Sequence, residues 1–395
     1  MPLRRGMPEE VGMSQARVRA AASLAERLVA QDVTPALVVL AARRGVIVLH
    51  EAHGRLTPEP DSPPIGKDAI FPLASISKPI TATAVMILVE DALLGLNRPV
   101  AEYVPEFVGG AKDSVMVHHL LTHTSGLDDE QVDSYAKESR ESVVIPPAES
   151  NQHPDIHERL WSTYGAPLAK PPGAEMSYSN YGYDLLGEIV RRISGGSLSE
   201  FAERRIFKPL GMKDSSFGVR ESSRARLVRR RMDAGYAESV DTMPGLETRR
   251  FQQTPLAGGG VYSTAMDLAI FCQMFLDRGR HGETAFLSPA SVAEMTRNQI
   301  PGVPARYNDE VFPDAGWGLG WDIHGNKKSL REGSLHSPAT FSHGGAGGVY
   351  VWVDPVYEIV GCYFSIQRHT GIRVSSPLWC ADLFLNALTS AVAAV

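Results

Sequence analysis

Strand-like apolar runs lie towards both ends of this chain, and helical patterns fill its middle. On the N-terminal side, Ala36-Leu37-Val38-Val39-Leu40-Ala41-Ala42 and Gly45-Val46-Ile47-Val48-Leu49-His50 are separated by Arg43-Arg44-Gly45, a hairpin-length connection. On the C-terminal side, residues 348–354 and 358–364 read as two strands joined by an Asp354-Pro355 turn. The glycine-punctuated segment 316–323 reads as a further strand. Residues 14–31 read as an amphipathic helix capped by Ser14, and 183–193, 198–210, 264–276, 288–295 and 377–394 read as helices.

One sheet assembled from both chain ends, with a helical insertion beside it, accommodates this order. The expected class is α/β (α+β), with an antiparallel sheet flanked by helices and an inserted all-α domain. Residues 1–80 and 256–395 would form the discontinuous α/β domain, and 81–255 the insertion. Within the insertion, 128–172 is polar with scattered prolines and reads as a loop-rich cap over an active site. The 395 residues exceed the roughly 250–300 at which single cores stop growing, so one large domain or two intimately packed domains are expected.

The chemistry-bearing motif is Ser75-Ile76-Ser77-Lys78. It sits where the apolar stretch 69–74 turns into a nearly all-apolar run, 79–89, with Ile80, Ala84, Ile87 and Leu88 at helical spacing. Pro79 suits a first-turn position. Residues i and i+3 share a helix face, so the Lys78 amine can reach the Ser75 hydroxyl at roughly 2.6–3.2 Å. A helix start also favours an alkoxide and offers free N–H groups to an oxyanion. Ser-x-x-Lys fixes only two residues and recurs by chance: Ser134-Tyr135-Ala136-Lys137 is a second copy. That copy lies in an acidic, polar stretch and reads as a solvated loop or helix face. A lysine entering a buried helix is costly unless used or paired, which favours the first copy.

Two other segments can complete such a site. In 172–183, Tyr178 and Asn180 stand two residues apart at a loop-to-helix junction, where a tyrosine beside an ammonium can shuttle a proton. An aromatic packing loop is the alternative. In Phe341-Ser342-His343-Gly344-Gly345-Ala346-Gly347-Gly348, the glycines permit close approach of backbone to substrate, Ala346 is the candidate N–H donor, and His343 can orient the tyrosine or the substrate. A glycine-rich hairpin with an incidental histidine is the alternative here.

Other classes find little support. A net charge of −6 gives no general case for nucleic acid. The basic cluster Arg224, Arg226, Arg229, Arg230 and Arg231 reads as a solvated or ion-paired face. Cys272, Cys362 and Cys380 form no C-x-x-C pair and no disulfide framework. No apolar h-region opens the chain and no run approaches 18 apolar residues, so neither a secretory signal nor a membrane span is read. A cytoplasmic location is the expectation. The twelve histidines show no paired ligand spacing, so neither metal nor cofactor is expected.

Taken together, Ser75-Ile76-Ser77-Lys78, Tyr178-Ser179-Asn180 and His343-Gly344-Gly345 resemble the three ordered motifs of the serine β-lactamase and penicillin-binding-protein superfamily. The class C-like branch with the family VIII carboxylesterases is the most similar. The segments 119–127, 258–264 and 316–320 also look like that family, and the resemblance spans roughly residues 10–390. It implies a β-lactamase-like fold with the site between the domains. Ser75 would form an acyl-enzyme, with Lys78 and Tyr178 sharing the base role. The N–H groups of Ser75 and Ala346 would form the oxyanion hole. Asn180 would bond Lys78 or the substrate; His343, Gly344 and Gly345 would border the substrate; Trp352 would line the acyl pocket. The chain lacks the family's Lys-Thr-Gly. His343 is a weaker, pH-dependent cation in its place, which points to neutral esters over β-lactams. No Gly-x-Ser-x-Gly is present.

The expected activity is carboxylesterase action on small, short-chain acyl or aromatic esters, with a small-molecule ester as the only expected partner. An acyltransferase using the same acyl-enzyme, and a D-amino-acid peptidase or weak β-lactamase, are the competing enzymes. A binding-only homologue is the non-enzymatic reading, and it predicts no labelling of Ser75 by a fluorophosphonate. Oligomeric state is not legible.

Overall fold

The computed structural model describes residues 3–57, 59–229, 248–307, 310–327, 333–366 and 381–393. Arg230, Arg231, Cys380 and residues 377–380 and 394 of the expected closing helix lie outside them.

A seven-stranded sheet is built from both ends of the chain, as expected. Its strands are β1 (Arg4–Arg5), β2 (Ala36–Arg43), β3 (Val46–Gly54), β4 (Asp322–Ile323), β5 (Phe341–Gly345), β6 (Val349–Asp354) and β7 (Ile359–Ser365). The order is β1-β3-β2-β7-β6-β5-β4, antiparallel throughout except for the β1–β3 pair. The β2–β3 hairpin turns on Arg44 and Gly45, at φ 49° and 75°. Two successive positive-φ residues match the right-handed twist of the flanking strands, and glycine adopts such a φ without strain. The β6–β7 turn is held by Asp354, whose carboxylate accepts the N–H groups of Val356 and Tyr357.

β2 is buried along its whole length. Leu37, Val39 and Ala41 face one core, and Ala36, Val38, Leu40 and Ala42 face the other. A strand covered on both faces reads as a continuous apolar run, as this one does. The first face packs under helices α1 (Gln15–Ala30) and α7 (Ala381–Thr389), the second under α6 (Ala265–Leu276). Between the two halves of the sheet the chain forms α2 (Ser77–Glu90), α3 (Asp129–Glu138), α4 (Pro154–Thr163) and α5 (Asn180–Ser194). α2 is buried from Ser77 to Leu88 and packs against α5.

The structure differs from expectation at one of the strands. Segment 316–323 is mostly turn: Gly316 and Gly320 take positive φ, Trp317 bridges Asp322, and only Asp322–Ile323 joins the sheet. Segment 128–172 holds two ten-residue helices, α3 and α4, set among loop residues that make up the greater part of it. Polar surfaces on both helices diluted their apolar periodicity. Ser134 and Lys137 lie exposed on α3 and form a solvated helix face.

Candidate active site

The site begins where a three-stranded sheet meets α2. Phe71–Pro72 pairs with Val261–Ser263, which also pairs with Ser216–Phe217. The chain then turns through a short 3-10 segment, Ala74–Ile76, and enters α2. Ala74, just before Ser75, holds φ 45°, a strained left-handed backbone for a residue with a Cβ. The loop ahead of Val261 is fastened to α2: Ser77 Oγ accepts the Val261 N–H at 2.9 Å, and Thr81 Oγ1 donates to Ala257 O at 2.7 Å. Gly260 is required there, since a Cβ would lie 2.5 Å from Leu256 N.

Lys78 is fully buried and makes three bonds. Its Nζ lies 3.2 Å from Ser75 Oγ, 2.8 Å from Asn180 Oδ1 and 3.0 Å from Gly258 O. All three partners are oxygens without a formal charge. Burial therefore dominates and pushes the ammonium from 10.5 down to about 7, with Asp129 and Asp184 partly opposing the shift. Ser75 is half-buried beside an amine that burial readies to lose its proton near neutrality, which is the pairing an activated serine requires.

Tyr178 and Tyr183 both flank Lys78, their ring centroids 4.5 and 5.5 Å from Nζ. Tyr183 is committed elsewhere: its hydroxyl donates to Leu121 O, and burial holds its pKa well above 10. Tyr178 is half-buried and is the tyrosine of the pair open to the site.

His343, Gly344 and Gly345 form the end of β5, beyond the two residues that β4 covers. The His343 ring lies 6.4 Å from Tyr178 and 5.7 Å from Trp317, and its Nδ1 donates to Gly344 O. At Gly345 a Cβ would fall 2.2 Å from Leu73 O, so glycine lets this strand approach the turn that carries Ser75. Ala346 is exposed in the turn that follows. The structure thus brings Ser75, Lys78, Tyr178 and Asn180 together, with the His343–Gly345 strand end alongside.

Trp352 is corrected. It is fully buried on β6, stacks with Tyr350 and His336 and meets Phe384 of α7. That places it under α1 and α7, on the sheet face opposite the one shared with Ile76 and Ile80. Side chains alternate along a strand, and its even-numbered position sends the indole away from the site.

Asp129 is a residue that sequence reasoning missed. Its carboxylate accepts from Ser179 Oγ at 2.7 Å, the Asn180 N–H at 2.7 Å, Asn180 Nδ2 at 3.0 Å and the Tyr181 N–H at 3.2 Å. It sits at the positive end of α5 and fixes the Asn180 amide so that Oδ1 faces Lys78. Asp128 meanwhile caps α3 through the Gln131 N–H. In sequence the adjacent pair looks like ordinary capping, and nothing marks Asp129 as reaching across.

Among the described residues, no group of three or more His, Cys, Asp or Glu side chains could hold a metal ion. No helix among them is long and apolar enough to cross a membrane.

The Beta-lactamase family model matches residues 21–375. The chain belongs to that family. It is similar to Esterase EstB of Burkholderia gladioli, at 30% identity over 338 residues that span 80% of this chain and 82% of that protein. A solved family VIII carboxylesterase shares its fold at 22% identity and TM-score 0.74, over 95% of this chain and 97% of the other. So does EstCE1, described as a hydrolase with promiscuous acyltransferase activity, at 20% identity and TM-score 0.72, over 96% and 99%. The β-lactamase-like fold is an antiparallel-rich sheet flanked by helices, and Ser75-x-x-Lys78 lies at the start of its buried helix.

Proposed function

We propose that this Beta-lactamase family member is a serine carboxylesterase that hydrolyses small esters, with short-chain acyl or aromatic groups, through a Ser75 acyl-enzyme. The observation that carries the reading is the buried Lys78 amine bonded to Ser75 Oγ. In acylation the Ser75 hydroxyl proton passes to Lys78 as Oγ forms a bond to the ester carbonyl carbon. The N–H groups of Ser75 and Ala346 receive the oxyanion. The carbon–oxygen bond to the alcohol then breaks, and Tyr178 delivers a proton to the leaving alkoxide, drawing one in turn from Lys78. Water attacks the acyl carbon by the reverse relay, freeing the acid and restoring Ser75. Asn180 holds Lys78 in place.

The similarity to EstB supports ester substrates. The lack of Lys-Thr-Gly, with His343 at that position, supports neutral esters over β-lactams. EstCE1 keeps acyl transfer as a second reading, in which an alcohol replaces water at deacylation. An added acceptor alcohol separates the two by the appearance of a transfer ester.

The deciding experiment is hydrolysis of p-nitrophenyl acetate and butyrate by wild type and Ser75→Ala, with nitrocefin in parallel. Ester turnover is expected to fall by at least about 10³-fold in Ser75→Ala, with little nitrocefin turnover in wild type. Activity that survives Ser75→Ala would place the nucleophile elsewhere. Strong nitrocefin turnover would reverse the substrate argument.

The Lys78 shift sets the pH dependence. The neutral amine is the base, so kcat/KM is expected to rise tenfold per pH unit below about 7 and to level off above it. A profile flat from pH 5 to 8 would exclude Lys78 as the group that must lose a proton.

A further inference from the structure

His123 lies in the turn after Leu121, in a left-handed backbone at φ 58°. It is 1% exposed. The two N–H groups that flank Tyr178 both end on this one residue: Ser177 N–H donates to His123 O at 2.8 Å, and Ser179 N–H to His123 Nδ1 at 3.1 Å. The imidazole also lies against the Tyr178 ring, with centroids 4.3 Å apart and planes 30° apart. Tyr183 and Trp317 close around it at 5.2 and 5.1 Å.

We propose that His123 is a positioning residue for Tyr178: it fixes the tyrosine's backbone on both sides, sets the plane of its ring and keeps water from the Lys78–Tyr178 pair. The inference rests on the ester-hydrolase reading and deepens it.

The hydrogen bonding decides the protonation state. Nδ1 accepts the Ser179 N–H, so the ring proton sits on Nε2. Adding a second proton would aim two N–H groups at each other. Burial, then nearby Lys78 and His343, push in the same direction, holding His123 well below 6.5. A neutral imidazole leaves Lys78 as the cation against Tyr178. Nε2 is buried without a hydrogen-bond partner among the described residues, an unusual cost for a residue that only fills space.

A packing role and a positioning role differ in what they move. The charged and titratable groups around Lys78 are Asp129, Asp184, Tyr178, Tyr183 and His123 itself, and around His123 they are Lys78, His343, Tyr178 and Tyr183. His123→Asn keeps an acceptor for Ser179 N–H and suits the left-handed backbone, yet removes the ring. Water would then reach Lys78, whose depressed pKa comes chiefly from burial.

The test is p-nitrophenyl acetate kinetics from pH 5 to 9 for wild type and His123→Asn, with Ser75→Ala as control and a crystal structure of His123→Asn. The expected result is a kcat at least tenfold lower per folded molecule, KM within about threefold, an acidic limb moved up by half a unit or more, and a Tyr178 ring turned from its wild-type plane. An unmoved limb with Tyr178 in place overturns the proposal, even if the variant is less stable. Failure of the hydrolase reading looks different: wild type then shows no activity above Ser75→Ala, and the crystal structure alone decides the placement of Tyr178.

Discussion

Replacing Lys78 by methionine is expected to abolish ester hydrolysis and, at pH 6, to make the protein more stable. Loss of the base costs at least about a thousandfold in kcat/KM. The stability gain follows from the burial that makes Lys78 useful. A depression from 10.5 to about 7 in a fully buried group corresponds to about 5 kcal/mol against the charged form. Below about pH 7 the folded protein carries that cost in full. Between about 7 and 10.5 the unfolded chain binds the proton and the folded protein does not, so wild-type stability rises with pH across that window. Above it both states are neutral and the cost is gone. Methionine matches the stem in length and removes the charge, but it leaves Asn180 Oδ1 and Gly258 O without their donor, at about 1–3 kcal/mol each. The net change at pH 6 should therefore be a gain of about 1 kcal/mol, within a span from about 3 gained to about 1 lost, and should turn to a loss by pH 10. Guanidinium unfolding of both proteins at pH 6, 8 and 10 measures it. A stability difference that does not change between pH 6 and pH 10 would show that the folded protein does not hold Lys78 at this cost.

How far the sequence carries a reader depends on how local each signal is. β2 and β3 were legible because their apolar runs and the Arg44-Gly45 turn are contiguous, and α1 because Ser14 caps it, accepting the Arg17 N–H. Ser75 and Lys78 were legible because one helical turn separates them. Tyr178 and Asn180 needed the resemblance, since the same segment also holds Tyr181 and Tyr183 and only the fold separates their roles. Trp352 misled for a related reason. An aromatic residue a few positions beyond His343 looks close to the site, but strand alternation and the two-sided burial of the sheet send it to the other core. His123 stood within a segment already singled out, yet its work is done through Ser177 and Ser179, more than fifty residues away. Asp129 was hidden twice over, by a polar stretch that reads as solvated and by Asp128, which explains a capping aspartate without it.

Asp129→Ala is expected to lower kcat by about 100-fold and to cost about 2–4 kcal/mol of stability. Four donors converge on this carboxylate, and all four belong to Ser179, Asn180 and Tyr181 at the start of α5. Without it the Asn180 amide loses the partner that separates its oxygen from its nitrogen, and the Nζ–Oδ1 bond at 2.8 Å is no longer enforced. The pH profile supplies the signature. Asp129 is the first of the two carboxylates that oppose the downward shift of Lys78, so its removal should lower the lysine further and carry the acidic limb below about 7. His123→Asn is expected to move the same limb upward, by hydration. Two substitutions near Lys78 therefore shift one titration in opposite directions, which general loosening of the fold would not do. The measurement is kcat/KM against pH for both variants, normalised to the fraction that a fluorophosphonate can label. A limb that moves the same way in both would mean that hydration alone sets the Lys78 proton affinity and that Asp129 serves only to cap α5.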